Sequence, residues 1–306
     1  MEIIWKKKNF QVDFIGIGAQ KSGTTWIAQC LKEHPQICTP LKKELHFFDK
    51  PYNYRKGIDF YASFFDHYSE GELKGEFSPG YLYYEHSAFR INEYFPNVKL
   101  IACLRNPIER AYSHYRSASG RGRMSVYKSF EDAVQKNPIL TDKSFYYLQL
   151  KRFYDLFPEE NILVLIYDDL KKDPIKFMKT VYSFLDVDDN FIAPSAEKRI
   201  GATGKNKSTG KIPFLDSALH RVWNKINLGN NFGLLYNFVD KTGLRSIGKK
   251  LLDMNTKIIE QKLGSVPTKI EDINEEVKDY LKKMYKEDIK QLEILIKKDL
   301  TKWQIT

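Results

Sequence analysis

Short apolar runs alternate with amphipathic segments along the first two thirds of the chain. Three runs are rich in β-branched residues and bounded by turns, as is typical of buried strands: residues 12–18 (VDFIGIG), 98–104 (VKLIACL) and 161–167 (NILVLIY). Each precedes a segment with apolar residues at helical spacing: residues 26–34, Pro107 to about Ala118, and Pro174–Leu185. This alternation predicts an α/β fold, a single domain with a central parallel sheet flanked by helices.

The last third of the chain has a weaker pattern. Residues 201–210 are rich in glycine, lysine and serine, which favours a surface loop, and residues 215–264 have a helical pattern interrupted by glycines. Glu275–Asp299 is predicted to be an amphipathic helix from its apolar residues Val277, Leu281, Met284, Ile289, Leu292 and Leu295. We therefore expect one domain over residues 10–306, with a helical C-terminal part. Residues 215–264 would be a helical insertion or a substrate-side subregion.

The composition excludes a generally disordered chain and favours an anionic partner. Hydrophobic residues make up 42% of the 306 residues, the level of a folded globular protein. Lysine and arginine total 49 against 39 acidic residues, a formal net charge of +10. Such an excess suits a nucleotide, a nucleic acid, a membrane surface or an acidic polysaccharide, although solvated lysine faces account for it equally well.

The cysteines and the apolar runs predict the compartment. Cys30, Cys38 and Cys103 form no CxxC pair and no zinc spacing, which favours buried thiols in a reducing compartment. The histidines show no metal-binding pair, so no metal site is expected. The opening MEIIWKKKNF lacks the apolar stretch of a secretory signal, and every apolar run is too short to span a bilayer. We therefore expect a soluble, cytoplasmic protein without stable membrane insertion.

The first segment that carries chemistry is the loop Gly16–Thr25 (GIGAQKSGTT), between the first strand and the first helix. Backbone N–H groups at a helix N-terminus, together with a glycine turn, form an anion site. Lys21 can reach a phosphate oxygen there, and Thr24 and Thr25 add hydroxyl donors. The loop is not a Walker A motif, because its lysine precedes Gly23 instead of following it. Nor is it a dinucleotide fingerprint, since lysine stands where the third glycine belongs.

A second loop, Leu104–Tyr115 (LRNPIERAYSHY), follows the second apolar run. Arg105 leaves the carboxyl end of a strand, where open α/β sheets bind their ligands. Arginine suits a bidentate contact with phosphate, and Ser113, about two helical turns further on, adds a neutral donor. The pair indicates a phosphate site only in combination with the first loop.

Together, KSGTTW and RNPIERAYSHY closely resemble the sulfotransferases that use 3′-phosphoadenosine 5′-phosphosulfate (PAPS). The resemblance implies a P-loop-like site whose first loop holds the 5′-phosphosulfate and whose second loop holds the 3′-phosphate. By position the first group is Lys21, Ser22, Gly23, Thr24, Thr25 and Trp26, and the second is Arg105 and Ser113. Relatives close a basic loop over the nucleotide at the place of Lys205, Asn206, Lys207 and Ser208, although this sequence departs from the best-known versions of that loop.

The resemblance extends to the acceptor side of the site. Residues 43–49 (KELHFFD) are similar to the segment that bears the catalytic glutamate of carbohydrate sulfotransferases, and the end of the chain, residues 298–303, resembles bacterial relatives. This implies that Glu44 is the general base, with His46 as the second candidate. Residues 75–82 (GEFSPGYL) resemble a substrate-side segment, which implies substrate contacts for Glu76, Ser78 and Tyr81. Glu76 is equally consistent with a hydrogen-bonded structural carboxylate.

These residue types meet the needs of sulfuryl transfer. Like phosphoryl transfer, the reaction needs an in-line nucleophile and a neutralised leaving group. Lys21 would stabilise the charge on the departing phosphate oxygen, and a carboxylate would accept the proton of the nucleophile. The predicted function is metal-free transfer of a sulfuryl group from PAPS to an acceptor hydroxyl or amine, with PAP as the product. The resemblance around Glu44 favours a saccharide, while lipid, peptide tyrosine and natural-product acceptors stay open.

Two alternatives from other classes remain at the level of sequence. A P-loop kinase or nucleotidase shares the strand–loop–helix phosphate site, but the position of the lysine and the lack of a clear Walker B acid count against it. A non-catalytic polyanion binder would suit the net charge of +10. No RNP, helix-turn-helix or arginine-rich aromatic pattern is present, so no nucleic-acid partner is expected.

Overall fold

A parallel sheet of five strands forms the centre of the protein in the computed structural model, which describes residues 10–196, apart from residues 121 and 125, and residues 273–305. The strands are β1 (Phe14–Gly18), β2 (Ile37–Cys38), β3 (Leu73–Phe77), β4 (Lys99–Leu104) and β5 (Ile162–Ile166). Their order across the sheet is β2-β3-β1-β4-β5, and every neighbouring pair is parallel. The predicted parallel α/β sheet is confirmed.

Helices connect these strands and follow the last of them. They are α1 (Thr24–Glu33), α2 (Pro51–Tyr54), α3 (Ile58–Ala62), α4 (Glu85–Tyr94), α5 (Pro107–Ser119), α6 (Phe130–Lys136), α7 (Pro138–Asp142), α8 (Tyr146–Tyr154), α9 (Tyr167–Lys172), α10 (Pro174–Leu185), α11 (Glu275–Ile296) and α12 (Thr301–Ile305). Short 3₁₀ turns occur at Ser63–Phe65 and Glu159–Asn161. The three strands and four helices expected from the sequence are present, and their ends differ from the expectation by at most three residues.

The apolar face of the sheet explains why α1 and α10 form. Phe14, Ile101 and Leu165 project from three different strands into one buried cluster. The helices contribute residues at helical spacing to the same cluster: Ile27, Cys30 and Leu31 from α1, and Phe177, Met178, Val181, Tyr182 and Leu185 from α10. Burial of a side chain of this size contributes about 1.5–3 kcal/mol, so this cluster fixes the position of α1 against the sheet.

The described residues divide into two compact units. Residues 10–111, 141–196 and 279–305 form the first, which contains the sheet, and residues 112–140 and 273–278 belong to the second. In the second unit the rings of Tyr112 and Tyr115 pack on Phe130, with centroids 5.2 and 5.5 Å apart. The domain prediction over residues 10–306 stays a prediction, and residues 215–264 lie outside the described residues.

The thiols and the helices bear on the predicted compartment. Cys30, Cys38 and Cys103 are buried free thiols, which confirms that part of the expectation. Within residues 10–196 and 273–305, every helix is too short or too polar to cross a membrane. A cytoplasmic location stays a prediction.

Candidate active site

The predicted site residues follow the carboxyl ends of neighbouring strands. The first loop follows β1, Ser78 follows β3 and Arg105 follows β4. Because β3 and β4 lie on either side of β1 and all three strands are parallel, their loops meet at one edge of the sheet. The connection after β1 leads to β2 on one side of the sheet, and the connection after β4 leads to β5 on the other side. Such a reversal between neighbouring strands is the usual ligand site of an open α/β sheet.

The turn after β1 requires glycine at its last position. Gly23 has a φ of +83°, in the left-handed region. A Cβ atom there would lie 2.9 Å from a methyl carbon of Leu170 and 3.0 Å from the ring of Tyr167. The positive φ and the close approach both exclude a side chain at this position, and α1 begins at the next residue.

The start of α1 has the features of an anion site. The Ser22 side chain is fully buried, and its hydroxyl has no hydrogen-bond partner among the residues that the structure describes. Within the same residues no side chain caps α1, and its first turn carries no acid. The positive end of the helix dipole and the unpaired hydroxyl of Ser22 therefore lie together, and both can bind an anion.

Trp26 points into the core. Its side chain is 5% exposed, and its indole N–H donates to the backbone carbonyl of Ser195 at 2.8 Å. Thr24 is equally buried, while Thr25 is exposed. The contact of Trp26 with the nucleotide stays a prediction. In this structure the indole belongs to the core cluster and links α1 to Ser195.

Arg105 lies beside the first loop. Its Nε donates to Glu109 Oε2 at 2.8 Å, and another guanidinium nitrogen lies 3.5 Å from the backbone oxygen of Lys21. The guanidinium is 4.8 Å from the centroid of the Tyr167 ring, and the Arg105 carbonyl accepts a hydrogen bond from the Tyr146 hydroxyl at 2.9 Å. The two loops predicted to bind phosphate are therefore adjacent.

Two other parts of the predicted nucleotide site remain predictions. Ser113 is a buried residue of α5, in the second compact unit, and its pairing with Arg105 is untested. Lys205, Asn206, Lys207 and Ser208 lie outside the described residues.

The segment after β2 aligns three titratable side chains. His46 Nδ1 lies 2.8 Å from Asp49 Oδ2, and His46 Nε2 lies 3.4 Å from Glu44 Oε2. Glu44 and His46 both have left-handed backbones, with φ of 61° and 52°. Only Leu45 separates Glu44 from His46. The left-handed backbone of both residues lets the Glu44 carboxylate and the His46 imidazole contact each other.

The contact separates the protonation states of the two candidate bases. The hydrogen bond from His46 lowers the pKa of Glu44 to about 2. Hydrogen bonds to Asp49 and then to Glu44 raise the pKa of His46 to about 9. At neutral pH the imidazole is therefore protonated and has no lone pair for a substrate proton, whereas the Glu44 carboxylate can accept one.

Lys43 connects the candidate base to the phosphate loop. Its ammonium donates to Thr25 Oγ1 at 2.8 Å and to Glu44 Oε1 at 2.7 Å. A cleft of about 250 Å³ opens at this point, and its wall includes Thr25, Lys43, Glu44 and Glu76. The start of α1 and the Glu44 carboxylate thus face one space.

The three residues predicted to contact substrate form a buried cluster. Glu76 is 2% exposed, and Ser78 and Tyr81 are fully buried. The Glu76 carboxylate accepts hydrogen bonds from Ser78 Oγ at 2.7 Å and from the Tyr81 hydroxyl at 2.5 Å, and burial raises its pKa to about 7. Of the two readings of Glu76, the structure contains the hydrogen-bonded carboxylate. Direct substrate contact by these residues stays a prediction.

Sequence reasoning missed three polar residues at the site. Lys43 and Asp49 flank the Glu44–His46 pair. Asp49 follows His46 by three residues, and this spacing could have indicated the contact between the two side chains. Lys143 donates to Gln20 Oε1 in the first loop at 2.9 Å, and burial lowers the pKa of Lys143 to about 8. No local pattern could reveal Lys143, because 123 residues separate it from Gln20.

Known proteins with similar sequences carry sulfotransferase names. The membrane-associated sulfotransferase kil1 of Dictyostelium discoideum is 42% identical over 106 residues, which is 34% of this chain and 22% of that protein. The bifunctional heparan sulfate N-deacetylase/N-sulfotransferase 2 of Bos taurus is 28% identical over 193 residues, 57% of this chain. The match spans only 22% of that longer protein.

The fold and the sequence family agree with these relatives. The crystal structure of a sulfotransferase from Alicyclobacillus acidocaldarius superposes with a TM-score of 0.64 over 96% of this chain and 99% of that one, at 21% identity, which shows a shared fold. Residues 11–206, more than half of the chain and both predicted phosphate loops, match the sulfotransferase domain family. The chain therefore belongs to the sulfotransferase domain family.

Proposed function

We propose that this protein transfers a sulfuryl group from PAPS to a hydroxyl or amine of a saccharide. The observation that carries the proposal is the contact of Lys43 with both Thr25 and Glu44. The Lys43 side chain bridges the Glu44 carboxylate, the candidate base, and Thr25 at the start of α1, where the phosphosulfate of the donor would bind. A nucleotide site without a nearby base would support binding alone.

Each residue of the site then has one task. Lys21 and the first N–H groups of α1 bind the 5′-phosphosulfate, and Lys21 stabilises the charge that develops on the leaving phosphate oxygen. Arg105 and Ser113 bind the 3′-phosphate. The acceptor oxygen or nitrogen forms a bond to sulfur while the bond between sulfur and the phosphate oxygen breaks, PAP leaves, and the acceptor proton passes to Glu44.

The low pKa of Glu44 sets the timing of that proton transfer. A carboxylate with a pKa of about 2 is a weak base toward a neutral hydroxyl or amine. The acceptor becomes far more acidic as its bond to sulfur forms, so Glu44 accepts the proton late in the step.

Two observations support a saccharide acceptor. The Bos taurus relative is named for heparan sulfate. Three lysines, Lys32, Lys42 and Lys43, line the cleft beside Glu44, and such a wall suits an acceptor that carries negative charge.

The test is incubation with ³⁵S-labelled PAPS and a panel of acceptors, followed by mass spectrometry of the product. The panel contains N-desulfated heparan sulfate, its N-acetylated form, a tyrosine peptide and a simple phenol. We expect label in a heparan-type acceptor. We expect Glu44→Gln to lose about 10²–10⁴-fold in turnover because it lacks the base, and exposed Glu70→Gln to match the wild type.

Label in the peptide or phenol alone would overturn the saccharide assignment. Absence of transfer to every acceptor, with PAP still bound, would overturn the proposed activity. Near wild-type turnover of Glu44→Gln on the labelled acceptor would remove Glu44 from its role as base.

A further inference from the structure

Two consecutive backbone N–H groups of the Glu44–His46 turn end on side-chain hydroxyls. The His46 N–H donates to Ser78 Oγ at 3.2 Å, and the Phe47 N–H donates to the Tyr81 hydroxyl oxygen at 3.1 Å. Both acceptors are fully buried and follow β3 instead of β2. Two hydrogen bonds to residues that follow the neighbouring strand β3 therefore hold the turn in place.

Both hydroxyls depend on one carboxylate. A hydroxyl has one proton and two lone pairs, so its proton must point elsewhere if the oxygen is to accept an N–H. Ser78 Oγ donates its proton to Glu76 Oε2 at 2.7 Å, and the Tyr81 hydroxyl donates to Glu76 Oε1 at 2.5 Å. With both protons directed to Glu76, the lone pairs of both oxygens face the turn.

We infer that Glu76 is a positioning residue: through Ser78 and Tyr81 it holds the left-handed turn that places Glu44 and His46. The inference rests on the proposed role of Glu44. The two bonds anchor His46, the second left-handed residue of the turn, and Phe47, the residue after it. Left-handed backbone at non-glycine residues persists only where surrounding contacts over-determine it.

Burial strengthens the argument that the cluster has a task. A carboxylate that is 2% exposed costs free energy relative to an apolar residue at the same position. Other charged groups facing the turn are Asp49, on the far side of the His46 ring, and Lys43. Neither of them bonds the N–H groups of residues 46 and 47.

The experiment measures the turn directly, through the His46 imidazole. The variants are Tyr81→Phe and Ser78→Ala, each of which removes one hydroxyl and keeps the Glu76 carboxylate. ¹⁵N-histidine NMR follows the titration of His46, with His46→Gln used to assign the signal. We expect the midpoint, about 9 in the wild type, to fall by about one unit in both variants, because a loosened turn lengthens the contacts to Glu44 and Asp49.

Tyr182→Phe is the matched control. Tyr182 is as buried as Tyr81, and its hydroxyl donates to the backbone carbonyl of Cys30 at 3.1 Å, in the core cluster under α1 and α10. We expect the same order of stability loss and an unchanged His46 midpoint. With the acceptor from the panel, Tyr81→Phe should lose about 10–10²-fold in kcat while its KM for PAPS stays within about twofold of the control.

The inference is wrong if folded Tyr81→Phe and Ser78→Ala titrate His46 as the wild type does. If Tyr81→Phe does not fold, Ser78→Ala carries the test, because it removes a single small hydroxyl. The titration needs neither donor nor acceptor. A shifted midpoint together with no sulfation of any acceptor would therefore leave the positioning role standing and overturn the proposed function.

Discussion

At the scale of single residues, the contact between Glu44 and His46 decides which effects of pH can be measured. From the sequence, a carboxylate base predicts an acidic limb in activity. The pKa of Glu44, lowered to about 2 by His46, moves that limb below the pH at which most proteins stay folded. The pKa of His46, raised to about 9 by Asp49 and Glu44, leaves a basic limb in the accessible range.

We therefore expect activity to rise through about pH 7, as Glu76 ionises and can accept both hydroxyl protons, and to fall near pH 9, as His46 loses its proton. The stabilising effect of the raised His46 pKa is complete below its ordinary value of 6.5 and is lost as pH rises through about 9. The effect of the lowered Glu44 pKa is complete above 4.5 and is lost only as pH falls through about 2.

Initial rates measured against pH test the predicted activity profile, and His46→Gln should lack the basic limb. An unchanged limb in that variant would assign it to another group.

Arg105 offers a second test at this scale. Charge-assisted hydrogen bonds contribute roughly 1.5–3 kcal/mol, so Arg105→Ala should weaken PAP binding by about 10- to 150-fold in calorimetry. Ser113→Ala should have a smaller effect because a neutral hydroxyl binds phosphate less strongly. Adenosine 5′-phosphosulfate, which lacks the 3′-phosphate, is the control ligand. Equal losses for both nucleotides would contradict a 3′-phosphate site at Arg105.

The sequence indicated the identities of the loop residues but not their surroundings. KSGTTW and the arginine after β4 are local patterns, and the structure brings Lys21 and Arg105 side by side. The partners of His46 differ in this respect. Asp49 is close in sequence, whereas the hydroxyls of Ser78 and Tyr81 reach the turn only because β2 and β3 are neighbours in the sheet.

At the scale of elements, the start of α8 depends on a residue of α11. Phe145 precedes α8 and provides no side-chain cap. The Asp288 carboxylate instead accepts hydrogen bonds from the backbone N–H groups of Tyr146 and Tyr147, at 2.9 and 3.1 Å. Tyr146 in turn bonds the Arg105 carbonyl, so this cap also supports the second phosphate loop.

Asp288→Ala should lower the free energy of unfolding by about 1–2 kcal/mol, the usual loss for a removed N-cap. Urea unfolding at pH 7.5 measures the loss. Asp279→Ala is the matched control, because Asp279 is an exposed acid on the same helix, and its loss should stay within about 0.5 kcal/mol. Equal stability of the two variants would mean that water replaces the cap.

Elements with a strong period were predictable, and elements defined by their neighbours were not. β3 reads LKGEF, whose lysine, glycine and glutamate break the apolar pattern of a strand. It forms because both of its edges pair with other strands. In α11 the stripe of buried residues includes Tyr285 and Ile296, while Val277, Met284 and Leu295 are only partly buried. The sequence pattern indicated the helix and three of its buried residues, Leu281, Ile289 and Leu292, but missed the two that replace Met284 and Leu295 one position further on.

At the scale of the whole molecule, the donor product PAP should stabilise the fold without added metal. The reason is that in the proposed site its phosphates would meet the positive charge of Lys21, Arg105 and the start of α1. At 100 times its dissociation constant, linkage gives about 2.7 kcal/mol. Thermal unfolding with PAP and EDTA tests this. A shift that appears only with ATP and magnesium would favour the kinase or nucleotidase alternative.

The order of the strands also constrains how a newly made chain can acquire its structure. Phe14 of β1 pairs with Gly75 of β3 on one side and with Lys99 of β4 on the other. During synthesis, β1 and its apolar residues therefore have neither neighbouring strand until the chain up to β3 and then β4 has been made. A nascent chain that has not yet exposed β4 contains every residue of the first loop but no closed sheet to shape it. We thus expect the nucleotide to have no effect on early translation products and to act as a folding ligand only once α10, which packs against α1, has left the ribosome.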